Sequence, residues 1–115
     1  MPIIIPRYEK PKQLKYSNRI TVVDGIRFHS KKEADRYGEL TYMQKAGEIK
    51  HLELQKSFEL KVNGVKIGNY RADFYYLDTQ NHEWVVEDVK GFHTHVYRIK
   101  KKLMLAVHGV RIREV

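Results

Sequence analysis

Between Asn69 and Gly91 the chain reads NYRADFYYLDTQNHEWVVEDVKG, and this stretch constrains the fold more than any other. Residues Arg71–Leu77 and Trp84–Lys90 have the composition of two β-strands, and Asp78-Thr79-Gln80-Asn81-His82 reads as the polar turn between them. Side chains alternate between the faces of a strand. In the second strand Trp84, Val86, Asp88 and Lys90 therefore share one face, and Val85, Glu87 and Val89 share the other. An acid and a lysine end an apolar run on the same side. Asp73, on the neighbouring strand, comes within reach of Asp88 if the two strands pair. Two carboxylates from adjacent strands suit a divalent cation with oxygen ligands. A lysine beside them can orient a water and offset charge on a phosphoryl group.

The triplet acid-x-Lys occurs three times, as Glu48-Ile49-Lys50, Glu59-Leu60-Lys61 and Asp88-Val89-Lys90. Only the third ends a strand, is followed by Gly, and has an Asp-bearing strand before it. The arrangement Asp73 … Asp88-Val89-Lys90 resembles the PD-(D/E)XK nuclease superfamily. The resemblance makes Asp73 and Asp88 metal ligands, Lys90 the catalytic lysine, and the Val89 carbonyl a further ligand.

At 115 residues the chain suffices for a core without disulfides or a structural metal. It has no cysteine, which excludes thiolate catalysis and cysteine-based zinc sites and suits a reducing cytoplasm, that of a host if the chain is phage-encoded. No apolar run reaches membrane-spanning length, and Ile3-Ile4-Ile5 is cut off by Pro6, so neither a membrane partner nor a signal peptide is expected. The net charge of +8 favours a polyanionic partner.

In chain order, residues 1–19 hold all three prolines and five cations against one acid, and read as an extended basic arm. Residues 20–115 read as a single domain. Ile20–Val23 and Ile26–Phe28 flank Asp24-Gly25, a strong hairpin signal. Ser30-Lys31-Lys32-Glu33 is a capping box opening a helix that runs to about Ala46 and stops at Gly47. Glu48–Gln55 alternates as a strand, with Ile49, His51, Glu53 and Gln55 on one face. Phe58–Val62 and Val65–Ile67 form a second hairpin around Asn63-Gly64. Thr94 caps a helix from His95 to His108 closed by Gly109, with Val96, Ile99, Leu103 and Ala106/Val107 as its buried stripe. Val110–Val115 is the last strand.

This order of helix, three strands, helix and strand matches the α/β core of the superfamily, a restriction-endonuclease-like mixed central sheet flanked by two main helices. The capping box alone accounts for Glu33; the resemblance adds that a first-helix acid often completes the metal site. It likewise places an accessory glutamine near Gln55. Arg98, Lys100, Lys101 and Lys102 form a basic helix face that begins close to Lys90, and with Arg71 they are candidate DNA contacts. The sequence looks most like small phage-type endonucleases, including endonuclease I-like Holliday junction resolvases. Ala72 stands where the motif's name has proline, and Asp88 is the acid before x-Lys. The resemblance implies a metal-dependent endodeoxyribonuclease using Mg²⁺, with Mn²⁺ as a substitute. The enzyme would act on branched DNA such as four-way junctions, as a homodimer because paired incisions require two sites. A restriction or repair nuclease acting on linear duplex, and a non-catalytic nucleic-acid-binding protein, are the alternatives.

Overall fold

The computed structural model describes residues 20–115, so the basic arm of residues 1–19 lies outside the described residues. The chain divides between Glu39 and Leu40 into two compact units. In the first, β1 (Thr21–Val23) and β2 (Ile26–Phe28) pair antiparallel across Asp24 and Gly25. Both turn residues have positive φ, 53° and 74°, as a two-residue type I′ turn requires. Helix α1 (Lys31–Lys45) then starts on its capping box. The Ser30 hydroxyl accepts from the Glu33 amide at 3.1 Å, and the Glu33 carboxylate reaches back to the His29 amide at 3.0 Å. Phe28, Ala34 and Tyr37 are buried, with the Phe28 and Tyr37 rings 5.1 Å apart.

The second unit takes the rest of α1 and a four-stranded sheet. Gly47, at φ 81°, ends the helix turn, and the Glu48 amide returns to the Met43 carbonyl. Next come β3 (Ile49–Val62), β4 (Val65–Asp78), β5 (Glu83–Asp88), α2 (His95–His108) and β6 (Arg113–Glu114). The sheet order is β3-β4-β5-β6; the first three strands are antiparallel, and β6 returns parallel to β5. The described residues are thus mixed α/β, with a mixed sheet and two helices. No helix among the described residues is long and apolar enough to cross a membrane.

Three expectations need correction. The segments expected as separate strands fuse into one hairpin of two 14-residue strands, β3 and β4, around Asn63-Gly64. Lys56-Ser57 and Gly68-Asn69, which look like polar interruptions, are paired within the ladder, and the irregularity is absorbed at two register shifts instead. One shift lies between Lys50 and Glu53. It breaks the expected alternation, so Ile49 turns inward while His51, Glu53 and Gln55 stay exposed.

The second correction concerns α2. Its limits are those expected, with the Thr94 hydroxyl accepting from the Tyr97 amide at 3.0 Å and Gly109 at φ 68°. Its buried residues, however, are Tyr97 and Met104, while Val96 and Ile99 are exposed. The stripe is rotated by about one residue because Tyr97 and Met104, two turns apart, fill the space over the sheet. They join Leu60, Tyr70, Ala72, Val86 and Ile112 in one core cluster. Lys100 and Lys101 lie half-buried along its edge. Thirdly, the last strand is shorter than expected, since the Val110 amide is spent capping α2 on the Met104 carbonyl.

Replacing Thr94 by alanine removes the cap that sets the first turn of α2. The expected loss is about 1 kcal/mol, read as a lower urea midpoint with unchanged slope.

Candidate functional site

The β4–β5 register pairs Tyr75 with Val86 and Phe74 with Glu87; carried one residue on, it sets Asp73 opposite Asp88. β5 ends here while β4 runs on paired to β3, and the backbone beyond β5 is tied to Asp73. The Val89 amide donates to Asp73 Oδ2 at 2.8 Å. On the other side of β4, Gln55 falls between the paired residues Leu54↔Phe74 and Lys56↔Ala72, and its Nε2 donates to Asp73 Oδ1 at 3.4 Å. Gln55 therefore lies beside Asp73.

Asp88 is 2% exposed. Its Oδ2 accepts from the Tyr70 hydroxyl at 2.6 Å, and its Oδ1 lies 3.2 Å from Lys90 Nζ. Burial pushes the Asp88 carboxyl up from an ordinary 3.8 to about 7. The neighbouring Asp73 carboxyl acts in the same direction, since two adjacent carboxyls resist ionising together. The Tyr70 hydroxyl and Lys90 pull the other way without cancelling the rise. Burial and the adjacent Asp88 raise the Tyr70 hydroxyl far above its ordinary range, so it remains a donor.

Lys90 is held from two directions. Its Nζ pairs with Asp88 and sits 4.1 Å from the centre of the Tyr97 ring, a cation–π contact. Tyr97 is fixed in turn by its hydroxyl, which donates to Glu114 Oε2 at 2.6 Å. Glu114 also takes Lys101 at 3.1 Å and lies 3.4 Å from His93. The Tyr97 hydrogen bond, and behind it Lys101 and His93, hold the Glu114 carboxyl below its ordinary range.

Asp73, Asp88, Val89, Lys90 and Gln55 thus come together at one end of the sheet. Glu33 belongs to the first unit, where its capping bonds to Ser30 and His29 account for its place. Arg98 and Lys102 are exposed on α2, Lys100 is half-buried, Lys101 is engaged by Glu114, and Arg71 is exposed on β4 opposite Ser57. Among the described residues no three acidic or histidine side chains gather as a metal-holding group; Asp73 and Asp88 form a pair.

Sequence reasoning missed Tyr70, Tyr97 and Glu114, and it missed Glu87. That carboxylate is 0% exposed and accepts from the Tyr76 hydroxyl at 2.6 Å. A signal for Tyr70 exists, since Tyr70, Ala72, Phe74 and Tyr76 alternate as buried positions of β4.

The site is thus a buried Asp88 paired with Lys90 and faced by the half-buried Asp73, on a mixed α/β chain. The chain belongs to the family described as protein of unknown function DUF1064, whose model matches residues 13–113. No curated protein and no solved structure matches it.

Proposed function

We propose that this chain is a metal-dependent endodeoxyribonuclease with a restriction-endonuclease-like core. The observation that carries the reading is Asp73 set opposite the buried Asp88 by the β4–β5 register, with Lys90 3.2 Å from Asp88, on a chain ordered α1-β3-β4-β5-α2-β6. The donor set fits a hard divalent cation. Two carboxyl groups stand side by side, and a cation between them would relieve the repulsion that their ionised forms have. Asp73, Asp88 and the Val89 carbonyl would hold Mg²⁺ or Mn²⁺. Such a cation supplies polarisation of a phosphoryl oxygen and a lower pKa for the attacking water.

The chain's own groups do the rest. Lys90, oriented by Asp88 and the Tyr97 ring, positions the water and faces the charge that develops on the phosphate. Gln55 and the Val89 amide fix the Asp73 carboxylate, while Tyr70 fixes that of Asp88. Arg98 and Lys102 on α2, with Arg71 on β4, grip flanking phosphates and position the strand without reading its bases. Cations that contact phosphates and not bases suit recognition of DNA shape, so branched DNA, four-way junctions among them, is the proposed substrate. A homodimer would make the paired cuts.

The test compares a labelled four-way junction with its matched linear duplex, in Mg²⁺, Mn²⁺ or EDTA. Metal-dependent paired incisions confined to the junction are the expected result. Cutting of both substrates would keep the nuclease and remove the junction preference. Binding without cutting of either would leave a nucleic-acid-binding protein.

A further inference from the structure

Next to the acid pair, the sheet carries a row of aromatic rings that the chemistry above does not use. Trp84, the chain's only tryptophan, opens β5 and is 51% exposed. Its ring stacks on Tyr75 of β4, with centroids 4.9 Å apart and planes 14° from parallel. His51 of β3 extends the stack, 6.0 Å from Trp84 at 27°. Phe58 meets the Tyr75 end edge-on at 5.5 Å. Three strands therefore contribute one ring each to a stack that is open at the sheet surface.

The backbone has been shaped to make this row. His51 sits at the β3 bulge with φ 58°, a left-handed conformation uncommon for a residue other than glycine. A bulge of this kind re-aims a side chain, and it is what separates His51 from the inward-turned Ile49. Gln55, at φ 56°, repeats the feature beside Asp73. One left-handed residue of β3 thus serves the ring stack and the other serves the acids.

Trp84, Val86 and Asp88 alternate along β5, so the stack and the acid pair stand about 13 Å apart along one strand. Lys56 Nζ lies 5.7 Å over the Tyr75 ring and 4.0 Å from Glu53, and Lys50 and Arg71 are exposed on the same two long strands. Stacked rings on a sheet, with cations among them and a chain of net charge +8, suit a ligand that combines π-faces with a polyanionic backbone.

We propose that His51, Trp84 and Tyr75 form a stacking platform for the unpaired bases of single-stranded DNA. The placement relative to Asp73 and Asp88 rests on the nuclease reading and deepens it. An unpaired segment seated on the platform would run toward the acids, which makes branched DNA that exposes unpaired bases preferred among the proposed substrates.

Because Trp84 is the sole tryptophan, its emission reports the contact directly. The full-length protein is titrated in EDTA, where no cleavage occurs, with oligothymidylate or with a fully paired hairpin duplex. Saturable quenching by oligothymidylate, and little by the duplex, is expected. Anisotropy of a labelled oligothymidylate then reads the variants. Trp84→Ala should weaken single-strand binding roughly tenfold to a hundredfold, with duplex binding unchanged and Trp84→Phe retaining most of the affinity. Absence of saturable quenching would overturn the platform and turn attention to a protein partner for this surface. Equal losses for single strand and duplex, or wild-type affinity in a folded Trp84→Ala, would also overturn it. The quenching needs no variant to fold and no metal. Quenching without any metal-dependent cutting would thus sink the nuclease alone, and cutting without quenching would sink the platform alone.

Discussion

Replacing Asp88 by asparagine is expected to abolish metal-dependent cleavage and, at the same time, to make the metal-free protein more stable at pH 8. The two effects have one cause. Asparagine has the shape of the protonated carboxyl and leaves an acceptor for the Tyr70 hydroxyl. It does not carry the negative charge that a divalent cation requires. Loss of that charge should lower the cleavage rate on the order of 10³-fold, while binding to DNA in EDTA stays at the wild-type level. The gain in stability follows from burial. A carboxyl 2% exposed and pushed up to about 7 must ionise at pH 8 against that burial and against Asp73. A displacement of about three units corresponds to up to about 4 kcal/mol that asparagine does not lose. Urea unfolding in EDTA and a cleavage assay on the same preparation check both halves. A less stable variant would mean that Asp88 serves the fold through its Lys90 pair. Retained cleavage would mean that the acids are not the site.

This opposition of stability and chemistry bears on what could be read from the residues alone. The acid pair was legible because strand alternation and a short turn leave few registers, and the one in which Phe74 meets Glu87 puts Asp73 against Asp88. The limits of α2 were equally legible. Thr94 and Gly109 are local signals, and the helix ends where they stand. Both glycine-containing hairpin turns, at Asp24-Gly25 and Asn63-Gly64, have the backbone their dipeptides demand.

What was not legible depends on contacts distant in sequence. The length of β3 and β4 comes from mutual pairing, which carries Lys56, Ser57, Gly68 and Asn69 through stretches whose own preference is weak. The bulge at His51 has no marker such as glycine. The face of α2 is chosen by what the sheet offers, so an amphipathic tyrosine with a carboxylate partner is buried where Val96 and Ile99 are not. Glu87 shows the limit of reading polarity as exposure. A glutamate in a half-apolar strand looks solvated until Tyr76 and Arg113 are folded beside it. The residues that hold Lys90 in place, Tyr97 and Glu114, lie on α2 and β6, and only the parallel return of β6 to β5 brings them to the acids.

The pH dependence of stability gives the second large effect, and its sign is opposite to that of most carboxylates. A depressed carboxyl such as Glu114 contributes stability that is present above the ordinary pKa and lost as pH falls. Asp88 is raised, so its contribution is fully present below an ordinary 3.8 and is lost as pH climbs through about 7. In EDTA the wild type should therefore lose up to about 4 kcal/mol from this group between roughly pH 4 and pH 8. The Asp88→Asn protein should lack that decline, so the difference between the two curves isolates Asp88 and its coupling to Asp73 from the remaining titrating groups. Mg²⁺ should then act selectively. If it takes the place of the Asp88 proton, it stabilises the wild type most above pH 7, where it no longer competes with that proton, by about 2.7 kcal/mol at a hundred times its Kd. The same addition should leave Asp88→Asn nearly unmoved. Parallel pH curves for the two proteins would remove the raised Asp88 carboxyl, and equal stabilisation of both by Mg²⁺ would place the cation elsewhere on the chain.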